Sequence, residues 1–288
     1  MSLKALLLTS LAIMAFAANS VFCRLALQDK SMSAASFTGV RLLSGALVLW
    51  LLVAWRAQSL KREPKKSFKS YSFSAFWLFL YAITFSVAYV RLDTATGALL
   101  LFGVVQLTLV GIALVQRQPL HRLEWLGIIV AFGGLVYLML PGIARPPLLS
   151  AITMGLAGFA WGVYTFLGKS SQAPLSDTHQ NFLYALPWIL VVLIVDGEWR
   201  LGSSEAITFA VLSGGLASGV GYSIWYHALA YLSASQAASF QLLVPVIAAI
   251  GGMVVVGDSV TLRLFIASFI ILLGISVVIL GRKRLTVK

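Results

Sequence analysis

The sequence predicts an all-α membrane protein: ten transmembrane helices arranged as two inverted five-helix repeats. Three observations carry this. Of 288 residues, 60% are hydrophobic and only 10% charged, with mean hydropathy +0.94, whereas soluble domains carry about 25% charge. Apolar runs of roughly 20 residues, each long enough to cross the hydrocarbon core, follow one another with short breaks. The chain also matches itself at a spacing of about 140–145 residues.

In order, the spans read as 4–26, 34–55, 72–90, 94–116, 123–140, 148–169, 180–195, 206–231, 234–256 and 262–281, each bounded by charged or Pro/Gly-rich breaks. The first stays apolar to about Ala26 and reads as a retained helix rather than a cleaved signal. The third carries Trp77, Tyr81, Phe85 and Tyr89 at a spacing of four, a stripe down one face. The seventh and ninth contain Pro187 and Pro245, which block helix hydrogen bonds. The eighth is crowded with small residues, including Gly215-x3-Gly219, which let helices approach closely. The loops are short except for a basic segment around 61–69, and strand alternation is absent, which argues against a β-barrel.

The net charge of +12 would suggest nucleic acid in a soluble protein, but here it lies in loops and sets orientation instead. One set of loops holds fourteen Lys and Arg residues and the opposite set six, with Arg41 inside the second span. The bias places both termini in the cytoplasm and requires an even number of spans. The single cysteine, Cys23, excludes a disulfide framework and any multi-cysteine metal site and reads as a packing residue.

In the self-match, Phe16-Ala17-Ala18-Asn19-Ser20 falls on Trp161-Gly162-Val163-Tyr164-Thr165, Ala95-Thr96-Gly97-Ala98 on Ala234-Ser235-Gln236-Ala237, and Gly134 on Gly274. The halves are 1–145 and 146–288. With five spans each, the second enters the membrane upside down, the arrangement that underlies alternating access.

These features resemble the drug/metabolite transporter superfamily in its EamA-type branch. The carrying residues are Phe16-Ala17-Ala18-Asn19, the run Ala228-Leu229-x4-Ala234-x2-Ala237 followed by Pro245, and the glycines near the end of each half. Two positions depart from the pattern: Gln106 stands where Pro245 falls in the other half, and Gln118 where Asp258 does. Within the superfamily, the length and aromatic-rich helices are most similar to bacterial amino-acid exporters, aromatic ones included. The resemblance implies a multi-pass inner-membrane protein that exports small metabolites.

Polar groups deep in a span point inward or into a cavity. Candidate substrate-binding residues are therefore Asn19, Tyr81, Phe102, Gln106, Trp161, Tyr164, Tyr226, Gln241 and Pro245. An aromatic wall suits a flat, partly apolar ligand. Gln106 and Gln241 occupy matching places in the two halves; they either line a cavity or bond between helices. Thr96, Thr108, Ser235, Gln236 and Ser239 are further polar positions in the fourth and ninth spans. Trp77 and Tyr89 read as interfacial anchors, and Phe85 belongs either to the aromatic wall or to the lipid-facing surface. Arg41 is expected to snorkel to its helix end in a structural role, although a carboxylate ligand would also suit it.

None of the nine acids falls mid-span, and His227 is the one deep histidine in this reading. A carrier that runs down its substrate gradient, with no dedicated proton carboxylate, is therefore expected. No phosphate-binding Gly-x4-Gly-Lys motif supports ATP drive, and no cofactor or metal is expected. The partners are a small molecule and the lipid bilayer, with no nucleic acid; ten spans suffice for a cavity within one chain, which leaves a monomer open. Other amphipathic metabolites or drugs remain alternative cargoes. An intramembrane enzyme built on His227 would lack a Gly-x-Ser-x-Gly or His-Glu-x2-His partner motif.

Overall fold

The apolar runs coil into helices because a backbone in hydrocarbon must satisfy its own hydrogen bonds. The computed structural model describes residues 3–57, 67–117, 120–140, 145–169, 171–197, 199–229, 231–232 and 240–286. Gln118, Ala234, Ser235, Gln236, Ala237, Ser239, Glu63, Glu198 and the basic residues Lys61, Arg62, Lys65 and Lys66 lie outside them. The helices are α1 Leu3–Leu27, α2 Ala34–Ala57, α3 Phe68–Tyr89, α4 Thr94–Val115, α5 Arg122–Met139, α6 Leu148–Gly168, α7 Pro174–Asp196, α8 Ser204–Leu229, α9 Leu243–Val256 and α10 Leu262–Thr286. Among the described residues, nine of these are long and apolar enough to cross a membrane, and α9 is a shorter apolar helix. The only β pairing among them is an isolated bridge between Met32 and Leu201.

Local chemistry sets several ends. Ser67 and Ser203 accept backbone N–H groups at the starts of α3 and α8, and His121 and Glu124 form a reciprocal capping box on α5. Gly197 and Gly257 end α7 and α9 in the left-handed region. α7 begins six residues before the expected 180, because Pro174 is preset for the first helical turn and Asp177 favours the positive N-terminal dipole. In the ninth span the helical pattern is broken by a turn at Leu242; Pro245 has no N–H to give the Gln241 carbonyl.

The packing exchanges partners between halves. α1 lies against α8 and α9, and α6 lies against α3 and α4, so each half's first helix is held by the other half's third and fourth. α5 pairs with α10. There a Cβ on Gly127 would meet the Gly274 carbonyl oxygen, and one on Gly274 would meet the Ala131 backbone, so the two helices run in backbone contact. Large apolar side chains such as Leu47, Trp50 and Leu51 on α2 and Ile129, Phe132 and Val136 on α5 point outward. In water that surface would be a liability; in lipid it is the solvated face.

Candidate functional site

α1, α3, α4, α6 and α8 converge on a cavity lined by Phe16, Asn19, Ser20, Tyr81, Phe85, Leu101, Phe102, Trp161 and Tyr222. Its free volume is about 10 Å³, the room of about one water molecule. The walls are aromatic. Trp161 lies with ring centroids 4.7 Å from Tyr81 and 5.0 Å from Tyr222, and Phe16 meets Trp161, Tyr222 and Trp225 edge-on. Phe16 and Trp161, matched by the sequence repeat, are 6.4 Å apart. Two residues related by a two-fold axis can touch only beside that axis.

Of the nine predicted residues, Asn19, Tyr81, Phe102 and Trp161 line this cavity. Tyr164 stacks obliquely on Trp161 at 5.5 Å, one layer out, and its hydroxyl accepts from Asn181 Nδ2 at 3.2 Å. Tyr226, half-buried, has its hydroxyl against Gly168. Gln106, Gln241 and Pro245 are buried outside the cavity lining, and Gln106 Nε2 has no hydrogen-bond partner among the described residues.

Arg41 corrects the sequence expectation. It does not snorkel: it is 1% exposed, directly behind the cavity wall. Its Nη2 donates to the Tyr81 hydroxyl at 3.1 Å and the Tyr222 hydroxyl at 3.5 Å, and its Nε to Ser218 Oγ at 3.3 Å. The guanidinium carbon sits 5.1 Å from the ring centroids of both Tyr81 and Phe85. Glycine makes this reach possible. A Cβ on Gly214 would collide with the Arg41 carbonyl and Ser44 Oγ, so α2 and α8 touch here, and one on Gly45 would collide with Phe182 of α7. The stretch Leu212–Val220 of α8 is π-helical at that contact, a local widening often found at functional positions. Among the described residues no carboxylate pairs with Arg41, and its Nη1 has no partner. An uncompensated buried charge costs of the order of several kcal/mol.

Neighbouring expectations change with it. Phe85 is buried in the cavity wall rather than facing lipid. Tyr89 is also buried and donates to the Thr94 carbonyl at 3.2 Å, which is no interfacial anchor. Trp77 lies mid-helix, half-buried among Phe73, Phe76 and Phe159. His227 is exposed, with Nδ1 2.7 Å from the Ser223 carbonyl. The buried histidine is His179, in the second turn of α7, its Nδ1 without a hydrogen-bond partner among the described residues. The sequence reading missed it because it placed the start of α7 too late.

Polar ties hold both ends of the bundle. At one, Arg24 Nε lies 3.8 Å from Asp258 Oδ1, and Arg24 Nη1 donates to the Tyr89 carbonyl at 3.3 Å. The Thr94 N–H donates to Asp258 Oδ2 at 2.8 Å, so Asp258 caps α4 from the other half. Burial, and then the Asp258 charge, hold the Asp93 carboxyl above its ordinary range. Cys23 is buried between this tie and the cavity, with Arg41 and Arg24 as its charged neighbours. At the opposite end Asp177 accepts from the Tyr71 hydroxyl at 2.9 Å and Ser171 Oγ at 2.6 Å. The described residues contain no cluster of His, Cys, Asp and Glu able to hold a metal ion.

The sequence profile of the EamA-like transporter family matches residues 3–140 and again residues 148–280. An uncharacterized protein of Pseudomonas aeruginosa is 46% identical, covering 97% of this chain and 96% of its own. An uncharacterized transporter of Archaeoglobus fulgidus is 26% identical, covering 75% and 78%, and the uncharacterized transporter YoaV of Bacillus subtilis 20% identical, covering 83% and 85%. One solved structure, 18% identical, superposes with a TM-score of 0.63 over 95% of this chain and 97% of the other, a likeness of fold.

Proposed function

The chain belongs to the EamA-like transporter family, and from that premise we propose that it is a facilitative carrier exporting small metabolites, amino acids and aromatic ones among them, across the bacterial inner membrane. Both termini face the cytoplasm in this reading, so the Asp177 end of the bundle is cytoplasmic and the Asp258 end periplasmic. The observation that carries the proposal is the aromatic cavity where both repeats meet, with Phe16 and Trp161 facing each other across it. A site at that junction is bounded by both halves, so rocking one half against the other exposes it to either side. Ligand sites usually hold about 300–1,000 Å³. A cavity with room for one water is therefore a contracted state, and substrate enters as helices part.

The acids of the described residues lie in loops and at helix ends, which supports transport without a carboxylate proton carrier. His179 favours a second reading, proton coupling, because it is a buried titratable group with an unpartnered nitrogen. One experiment separates them. Purified protein in liposomes is assayed for counterflow of labelled L-phenylalanine with and without an imposed pH gradient. Saturable counterflow without uphill accumulation is expected, and Trp161→Ala should lose most of it while remaining folded. Accumulation driven by the pH gradient and lost in His179→Ala would establish the second reading. Ohmic, unsaturable flux would mean a channel and would overturn both.

A further inference from the structure

We infer that the molecule held in this cavity carries a carboxylate, and that Arg41 is the residue that selects it. The inference deepens the transport reading and rests on it for the cavity's role. Arg41 is a buried cation whose contacts among the described residues are hydroxyls and ring faces, with no acid to balance it. Its Nη1 has no acceptor among the described residues. The Tyr81 hydroxyl oxygen takes two N–H donors, Arg41 Nη2 at 3.1 Å and Asn19 Nδ2 at 3.3 Å. Neither donor can accept in return, so the Tyr81 proton is left to seek an acceptor in the cavity that Tyr81 lines. Asn19 cannot supply one: its carbonyl oxygen is held by Ser213 Oγ at 2.6 Å, which fixes the amide with its nitrogen toward Tyr81.

The polar corner of the cavity thus offers proton donors backed by a positive charge, and the remaining walls are aromatic. Its complement is an anion with two coplanar oxygens on a flat apolar body. A carboxylate is the acceptor that hydroxyl donors backed by a guanidinium charge favour, and charge-assisted bonds are about twice as strong as neutral ones. Tyrosine hydroxyls polarised by the same guanidinium add donors on the cavity side.

The test uses an isosteric pair, 3-phenylpropanoate and 3-phenylpropanamide, titrated against the tryptophan fluorescence of the detergent-purified full chain, with counterflow of both compounds measured in parallel. The acid should bind at least about tenfold more tightly than the amide. Arg41→Gln, which keeps donors but removes the charge, should abolish the preference, and Tyr81→Phe should reduce it several-fold. Equal binding of acid and amide by the wild-type chain, or no saturable binding of the acid, overturns the inference. So does a folded Arg41→Gln that keeps the tenfold preference; if that variant does not fold, an undiminished preference in Tyr81→Phe does the same. Acid-selective binding without flux would sink the transport reading and leave this inference standing. Flux of both compounds without acid preference would do the reverse.

Discussion

Phe85 and Arg41 illustrate what a single sequence says about a residue in a membrane helix. Its place along the span, and so its depth, can be counted from the flanking charges. Its rotation about the axis cannot be read where the helix is apolar all round. Phe85, open in the sequence between an aromatic wall and the lipid face, lies under a guanidinium, while Arg41, expected at the interface, lies behind a cavity. Asn19, Tyr81 and Trp161 were legible because polar or amphipathic side chains deep in a span have few alternatives to an interior position, and Phe102 because it lies one turn from Gln106 on the same helix face. Asp93 carries a prediction at this scale. Its carboxyl is held above the ordinary value of 3.8 by burial and by Asp258. The folded state therefore holds this proton more tightly than the unfolded chain does. The contribution to stability is greatest below the ordinary carboxylate value and is lost as pH rises through the raised one. Asp93→Asn should melt at a higher temperature than the wild type near neutral pH, with the gap closing toward about pH 4. The gap should be small because the side chain still meets water. A gap that widens on acidification would contradict the assignment.

At the scale of elements, the ten spans were legible because hydrocarbon thickness fixes their length, and most boundaries fall within a few residues of expectation. The exceptions arise where polar residues continue a helix. α7 starts early because Asp177, Thr178, His179 and Asn181 are buried against partners rather than exposed in a loop, a fact of tertiary packing. The small residues of α8 were read as a close-packing surface, and Gly214 is the point of contact with α2. Gly214→Val should destabilise the bundle by about 1–3 kcal/mol through overpacking, seen as a lower melting temperature in detergent. The same change at Gly133, which has nothing within 4 Å of a built Cβ, should have much less effect. At the far edge, Glu124 is buried and its carboxylate accepts the His121 N–H in the capping box of α5. Glu124→Ala should cost at least about 1 kcal/mol as a lost cap, and Glu124→Gln should recover part of it, since a glutamine carbonyl can still accept the His121 N–H.

At the scale of the molecule, the exchange of helix partners between halves was anticipated only as a repeat; which helix would sit against which was not in the sequence, because pairing is decided by contacts far apart along the chain. The two ends are tied differently. At one end Asp258 reaches from the second half to cap α4 and pair with Arg24. The matching position in the first half is the uncharged Gln118. One end is thus latched by an ion pair across the repeats, and its sequence counterpart has no charge with which to form one. Asp258→Asn should release that latch. Cys23 supplies a way to time it, because the chain's single thiol lies buried between the latch and Arg41. A maleimide reaches it only while that end stands open, so its labelling rate equals the intrinsic thiol rate multiplied by the fraction of time spent open. The unmodified protein therefore carries its own clock. Asp258→Asn should run it several-fold faster, and a substrate that draws the helices together should slow it.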